Sequence, residues 1–133
     1  STLQLPCIDA NAMIDTVPLL AVLACFSSGP CSITGAAIAK LKESDRLISI
    51  TANLQRMGAV ITAHADGCEV QPSCLQPAVL SSYGDHRMVM SLAVAALATE
   101  GETIIDDVAC VQKSFPNFVA VMQSLGARIK VVE

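Results

Sequence analysis

The densest group of charged residues is Lys42-Glu43-Ser44-Asp45-Arg46, which precedes an amphipathic segment. Lys42 and Arg46 are four residues apart, so they share one face of a helix, and an anion between them would relieve their repulsion. A carboxylate at Glu43, flanked by two cations and a helix N-terminus, could exchange a proton above a bound anion. The alternative is an ordinary charged first turn capped by Ser44 or Asp45. Spacing alone leaves both interpretations open.

A second polar group, Asp85-His86-Arg87, opens a segment that is otherwise apolar. Asp85 is predicted to cap this helix, whereas the charge of Arg87 opposes the positive end of the helix dipole. A bound carboxylate or phosphate would remove the conflict, because arginine binds either anion in a bidentate manner. The alternative is a capping aspartate beside two solvated side chains. His86 could assist proton transfer, although a single histidine is more often structural.

Two further residues complete the candidate set. Lys113 precedes a Ser-Phe-Pro sequence that is typical of a helix start, and an exposed lysine is the alternative. Asp15 is predicted to cap the first apolar helix, and its carboxylate could also accept a proton from a substrate hydroxyl. Half of the eight cations are then predicted at helix N-termini, which favours a small, highly charged anionic ligand. These cations are Lys42, Arg46, Arg87 and Lys113.

A pattern of helices and strands that occurs twice must position these residues. In the first copy we predict a helix at 15–28, a strand at 31–34, a helix at 43–57 and a β-hairpin formed by 59–63 and 68–71. A connector is predicted at 72–82. In the second copy we predict a helix at 85–100, a strand at 103–106, a helix at 114–126 and a strand at 127–132. We therefore expect an internal repeat, with units at approximately 1–72 and 79–133.

Composition limits the class of protein. Hydrophobic residues make up 53% of the 133 residues and charged residues 15%, against about 45–50% and about 25% in ordinary globular domains. Disorder is thereby excluded. A net charge of −4, with three Phe, one Tyr and no Trp, argues against a nucleic-acid partner. The apolar runs reach about half of the ~20 residues that a bilayer requires, so no membrane span is predicted.

The six cysteines are scattered along the chain without a CxxC pair. A large apolar core does not need disulfides, so we predict buried, reduced thiols in a cytoplasmic protein. No metal site is expected, because the cysteines are dispersed and His64 and His86 lack ligand-like spacing.

The motifs together resemble the C-terminal portion of the EPSP synthase (3-phosphoshikimate 1-carboxyvinyltransferase) family. The resemblance implies an α/β (α+β) fold, the inside-out α/β barrel of the enolpyruvyl transferases, with buried helices and βαβαββ units. The chain would hold about two such units and form part of one domain over residues 1–133. The matching motifs are Lys42-Glu43-Ser44-Asp45-Arg46-Leu47, Gly84-Asp85-His86-Arg87-Met88, Lys113-Ser114-Phe115-Pro116 and Asp15-x-x-Pro18 with its apolar run.

The resemblance also implies a reaction of the shikimate pathway of aromatic amino acid biosynthesis. The enolpyruvyl group of phosphoenolpyruvate passes to the 5-hydroxyl of shikimate 3-phosphate, giving EPSP and phosphate. Asp15 and Lys42 would act at the 5-hydroxyl, and Glu43 would move a proton at the phosphoenolpyruvate methylene. Glyphosate would occupy the phosphoenolpyruvate site, and no metal or organic cofactor is implied. The implied phosphoenolpyruvate-binding residues are Arg46, Arg87 and Lys113, with Asp85 and His86 supporting the pocket.

Because the resemblance covers only the last part of the family's length, we expect a fragment that is inactive without the missing N-terminal part. Its exposed apolar surface would favour self-association. One alternative is a UDP-N-acetylglucosamine enolpyruvyl transferase, which shares the fold and the chemistry. Another is a non-catalytic anion-binding module, which would not need Glu43 or Asp15.

Overall fold

The computed structural model describes residues 6–132, so the ends of the predicted domain 1–133 lie outside the described residues. Strands β1 to β6 are Cys7–Asp9, Cys31–Thr34, Ile61–Ala63, Cys68–Val70, Val79–Ser81 and Ile104–Asp106. Helices α1 to α5 are Val17–Cys25, Arg46–Arg56, His86–Leu97, Ala109–Ser114 and Phe118–Ser124. Short 3-10 helices occupy Ile14–Thr16 and Ala37–Leu41.

The strands form two sheets. The first has the order β1-β2-β4-β3, in which β1 and β2 are parallel and β4 is antiparallel to both of its neighbours. The second contains the parallel pair β5 and β6. Ile8 lies opposite Ile33 in the first pair, and Leu80 lies opposite Ile105 in the second. Each residue of the second pair therefore lies 72 positions after its counterpart in the first.

The core lies between the sheets and the helices α1, α2 and α3, which contact one another. Val22 of α1 and Leu92 of α3 are fully buried, as expected of helices that are apolar nearly all round. The amphipathic α2 buries Leu54 and exposes Ile48. A smaller second cluster joins α3 to α4 and α5. Among the described residues, no helix is long and apolar enough to cross a membrane.

Several predicted helix ends are confirmed. Asp85 caps α3 by accepting a hydrogen bond from the Arg87 backbone N–H, and Asp45 caps α2 by accepting one from Ile48. The cap places the start of α2 at Arg46 rather than at residue 43. Gly58 follows α2 with a φ of +91°, a left-handed conformation that glycine adopts without strain.

The prediction that Asp15 caps α1 is wrong. Asp15 lies within a 3-10 turn, Thr16 occupies the N-cap position, and neither side chain caps the helix. The Thr16 hydroxyl donates to the Met13 carbonyl instead. The Asp15 carboxylate binds Arg46, so a charged partner has replaced the capping bond.

The prediction that Lys113 lies just before a helix start, with Ser114 as its cap, is also wrong. Lys113 lies in the last turn of α4, and Ser114 is the final residue of that helix. Pro116 disfavours helical backbone at the preceding Phe115, so α4 ends there. The next helix, α5, begins at Phe118 with Asn117 at the N-cap position.

Two strand predictions require correction as well. The predicted connector contains β5 (Val79–Ser81), a strand of three residues that is too short for its periodicity to be recognised. Residues 127–132, predicted as a strand, have no strand pairing among the described residues. A strand forms only with a hydrogen-bonded neighbour, and none lies beside this segment in the part of the chain that the structure describes.

The cysteines are all free thiols, but they are not all buried. Burial is confirmed for Cys25, Cys31 and Cys68, and it raises the pKa of Cys25 to about 11 and that of Cys68 to about 12. The prediction of burial is wrong for Cys7 and Cys74, which are exposed.

Candidate active site

The guanidinium of Arg46, the first residue of α2, is the centre of a charged cluster and is only 1% exposed. Its Nε donates to Asp85 Oδ2 at 2.8 Å, and its Nη2 donates to Asp85 Oδ1 at 3.1 Å. Asp85 is fully buried. This bidentate pair fixes the start of α2 against the start of α3, because either buried charge alone would be costly.

Asp85 accepts two further hydrogen bonds. The Ser44 hydroxyl donates to Oδ2 at 2.8 Å, and the Arg87 backbone N–H donates to Oδ1 at 3.1 Å. Burial alone would raise the pKa of Asp85, but the hydrogen bonds from Arg46 and Ser44 outweigh it and lower that pKa. Ser44 was predicted only as a possible cap. Its role could not be read from spacing, since its partner lies 41 residues away.

The outer half of the Arg46 guanidinium binds two carboxylates that are about half exposed. Nη1 donates to Asp15 Oδ1 at 2.9 Å, and Nη2 donates to Glu43 Oε2. Asp15 also lies 3.6 Å from Lys42 Nζ and 4.0 Å from Arg87 Nη2. Burial opposes ionisation of Asp15, but Lys42, Arg87 and Arg46 outweigh it and lower its pKa. Asp15 is therefore an ionised carboxylate shared by three cations.

Lys42 and Arg46 do meet, but not on one face of a helix. Lys42 precedes α2 in an extended conformation, with φ −89° and ψ −161°, and both cations contact Asp15 Oδ1. The cluster thus contains three cations and three carboxylates. Lys42 and Arg87 form its exposed rim, with side chains 32% and 40% exposed. An anion could bind at this rim through their free N–H groups.

The predicted site residues are mostly, but not all, brought together. His86 belongs to the cluster, with its Nδ1 3.8 Å from Asp85 Oδ1. Lys113 is exposed on α4, and no hydrogen bond or ion pair within residues 6–132 connects it to Arg46 or its partners.

Three potential metal ligands also meet here. One ligand atom each from Glu43, Asp85 and His86 lies within 4.8 Å of the others. The guanidinium of Arg46 already binds both carboxylates, and its positive charge would repel a divalent cation at the same position. The arrangement is therefore better suited to an anion at the rim than to a metal ion.

Comparison with known proteins gives a consistent result. The family model of EPSP synthase (3-phosphoshikimate 1-carboxyvinyltransferase) matches residues 2–122. A 3-phosphoshikimate 1-carboxyvinyltransferase of Chlamydia pneumoniae is 48% identical over 123 residues, which are 92% of this chain and 28% of that protein. Its namesake in Acetivibrio thermocellus is 43% identical over 126 residues, 95% of this chain and 30% of that protein. The chain thus spans less than a third of these relatives.

Solved structures confirm the predicted fold. An EPSP synthase from Acinetobacter baumannii superposes with a TM-score of 0.86 at 31% identity, covering 90% of this chain and 29% of that one. An enolpyruvyl transferase from Streptomyces tendae superposes with a TM-score of 0.59 at 22% identity, covering 90% and 28%. The second similarity concerns the fold alone.

Replacing Asp85 with Asn tests the buried ion pair. Asn keeps the shape and a capping oxygen but removes the charge, which leaves the Arg46 guanidinium without its main counter-ion. We expect the free energy of unfolding in urea to fall by about 3–5 kcal/mol. Glu69→Gln, an exposed carboxylate on β4, is the matched control and should change it by less than about 0.5 kcal/mol. Equal, small losses in both variants would contradict the assignment.

The same pair predicts a pH dependence. The pKa of Asp85 is lower in the folded protein than its ordinary value of 3.8, so its stabilisation is complete above that value and is lost as pH falls through the folded pKa. The stability difference between the native chain and Asp85→Asn should be constant near neutral pH and shrink below about pH 4. Urea unfolding across this range measures it. A difference that persists in acid would show that ionised Asp85 is not its source.

Proposed function

Because the chain belongs to the EPSP synthase family, we propose that it supplies part of an active site within a longer polypeptide. The proposed reaction transfers the enolpyruvyl group of phosphoenolpyruvate to the 5-hydroxyl of shikimate 3-phosphate, giving EPSP and phosphate. The observation that carries the proposal is the Arg46-centred cluster, where two half-exposed carboxylates lie beside two partly exposed cations. Two anionic substrates require cations, and addition followed by elimination requires groups that move protons.

Asp15 and Lys42 are proposed to act at the attacking hydroxyl. The lowered pKa of Asp15 makes its carboxylate a weak base. Asp15 is therefore better suited to accepting a hydrogen bond from the substrate hydroxyl than to holding the hydroxyl proton once it is transferred. As the hydroxyl oxygen attacks C2 of phosphoenolpyruvate, its proton is proposed to pass along the hydrogen bond to Asp15 and from there to solvent, which later supplies a proton to the departing phosphate. Lys42 Nζ, 3.6 Å from Asp15, can stabilise the negative charge that develops on the attacking oxygen. The two groups together would orient the hydroxyl and accommodate its change in charge.

Glu43 is proposed to exchange the proton at the methylene carbon. It gives a proton to C3 as the new C–O bond forms, which produces a tetrahedral intermediate with a methyl group. It then takes a proton back from that methyl group as the C–O bond to phosphate breaks and the enol double bond re-forms. Its half-exposed position beside Arg46 supports this role, because a substrate can reach it there.

The anionic groups of phosphoenolpyruvate are proposed to bind Arg46, Arg87 and Lys113. An incoming anion would replace Asp15 or Glu43 at the outer nitrogens of Arg46, while the buried Nε–Asp85 bond remains. Lys113 is included among these residues because it belongs to a sequence motif that resembles the family. It lies on α4, so its side chain would have to reach the bound anion from that helix. Asp85 and His86 would support the pocket. Glyphosate would bind to the same cations.

We assign residues 1–133 to one enolpyruvyl transferase domain, with repeated units at approximately 1–72 and 79–133. The identical registers of the two parallel strand pairs support this assignment. A cytoplasmic location is proposed from the buried free thiols, which suit a reducing compartment. The proposed reaction uses no metal or organic cofactor.

A chimera tests the proposed activity. This chain would replace the matching segment of the Chlamydia pneumoniae relative, and phosphate release would be measured with phosphoenolpyruvate and shikimate 3-phosphate. We expect turnover by the chimera and none by the purified chain alone, because the chain spans only 28% of that relative. UDP-N-acetylglucosamine in place of shikimate 3-phosphate tests the alternative acceptor. A folded chimera that is inactive with both acceptors would favour an anion-binding module, and efficient turnover by the isolated chain would refute its dependence on the missing part.

Glu43→Gln in the chimera tests the proton-transfer role. Gln retains hydrogen bonding to Arg46 but cannot give or take the proton, so kcat should fall by about 10²–10⁴-fold. The KM for phosphoenolpyruvate should change by only a few-fold, since the cations remain. Glu69→Gln is the control and should leave both constants unchanged. An unaltered kcat in Glu43→Gln would exclude Glu43 as the proton-transfer group.

A further inference from the structure

Asp106, the last residue of β6, lies beside the turn that leads into the charged cluster. Its Oδ1 accepts a hydrogen bond from the Ser82 backbone N–H at 3.2 Å. Ser82 begins a turn at residues 82–85, which joins β5 to α3 and ends at the buried carboxylate of Asp85. We propose that Asp106 is a positioning residue for the reaction, because it holds Asp85 against Arg46 through this turn. The inference rests on the proposed function and adds a residue to the same site.

The first sheet leads into a corresponding turn that has no left-handed residue. It occupies residues 10–13, and each residue lies 72 positions before its counterpart, the displacement that also separates the two parallel strand pairs. In each turn the last N–H donates to the first carbonyl, at 2.9 and 3.0 Å. Tyr83 and Gly84, in the middle of the second turn, have φ values of +52° and +68°. The first turn lies wholly within the described residues, and none of its φ values is positive.

The two turns also differ in the group that accepts the first N–H. The Ala10 N–H donates to the backbone carbonyl of Thr34 at 2.8 Å, which extends the pairing of β1 with β2. The corresponding donor in the second turn, Ser82, is bound by the side chain of Asp106, the counterpart of Thr34. Any residue at position 34 could supply a carbonyl, but the bond at position 106 requires a side-chain acceptor. The identity of residue 106 therefore matters to the turn.

The left-handed turn requires such support. A non-glycine residue in this region, here Tyr83, is energetically costly and persists where its surroundings fix it. Side-chain oxygens accept hydrogen bonds from three consecutive N–H groups of the turn. Ser82 donates to Asp106, Tyr83 donates to Ser81 Oγ at 3.3 Å, and Gly84 donates to Ser82 Oγ at 3.0 Å. The first turn has a bond like that of Tyr83, so the bonds of Ser82 and Gly84 are the ones that distinguish the left-handed turn.

The last residue of each turn shows what the difference achieves. Met13 ends the first turn with 43% of its surface exposed, and a 3-10 helix follows it. Asp85 ends the second turn fully buried, caps α3 directly and binds two nitrogens of Arg46. Loss of the Asp106 carboxylate would release the Ser82 N–H and allow Tyr83 to leave the left-handed region. Asp85 would then move away from Arg46.

Amide hydrogen exchange in the chain tests this coupling without substrate. Asp106→Ala removes the acceptor, whereas the matched control Asp106→Asn keeps an acceptor oxygen at the same position. In Asp106→Ala we expect exchange to accelerate by about tenfold at Ser82 and by about fivefold or more at Arg87, whose N–H is bound by Asp85. The rates are taken relative to Val121 in α5, which corrects for any loss of global stability. Asp106→Asn should change both ratios by less than about twofold.

Steady-state kinetics of the chimera test the consequence for the reaction. Displacement of Asp85 would misplace Arg46, so we expect Asp106→Ala to raise the KM for phosphoenolpyruvate by about tenfold. A variant that merely contained less folded protein would show a lower kcat and an unchanged KM. Asp106→Asn should restore the KM to within about twofold of the native chimera.

The two measurements separate this inference from the proposed function. Faster exchange at Arg87 in Asp106→Ala, absent in Asp106→Asn, supports the positioning role. Acceleration confined to Ser82, or equal in the two variants, overturns it, as does an unchanged KM for Asp106→Ala in an active chimera. A native chimera without activity would refute the proposed function, and the exchange at Arg87 would still decide whether Asp106 holds Asp85 in place.

Discussion

The buried ion pair between Arg46 and Asp85 determines how the two halves of the chain meet. It joins the first residue of α2 to the cap of α3, and neither charge can leave the other without remaining desolvated. A second connection lies further along α2, where the Asn53 amide exchanges two hydrogen bonds with the backbone of Ser81 in β5, at 2.8 and 3.0 Å. These two contacts fix α2 against the second sheet and its helix. The carboxylates of Asp15 and Glu43, which bind the outer nitrogens of Arg46, are therefore attached to a fixed arrangement of helices.

The same pair gives the two sides of the Arg46 guanidinium different tasks in the proposed reaction. The side facing Asp85 is buried and holds the structure, whereas the side facing Asp15 and Glu43 meets carboxylates that are half exposed. Exchanging a half-exposed carboxylate for a substrate anion costs far less than breaking the buried pair, because partly solvated ion pairs contribute little net stability. Binding of the anion would free a carboxylate beside the substrate, where a proton-transfer group is required.

Features of the structure that depend on neighbouring residues could be predicted from the sequence. Features that depend on contacts between residues far apart in the chain were predicted less well. The cap at Asp85, the end of α2 at Gly58 and the strand Cys31–Thr34 follow from local rules, and the structure has all three. Asp15 was assigned to a cap because the cation that takes its carboxylate is 31 residues away. Motifs identified the members of the cluster, but not that Lys42 and Arg46 meet through Asp15. Alternating apolar residues at 127–132 indicated a strand, yet the described chain supplies no neighbour for it.

Helix α3 connects the candidate active site to the second hydrophobic cluster. Its N-terminus carries Asp85 and Arg87, while Val89 and Ala93, one and two turns further, pack against α4 and α5. Since Arg46 is bound to Asp85 at the start of α3, the packing of this helix against α4 and α5 helps to fix the position of the charged cluster.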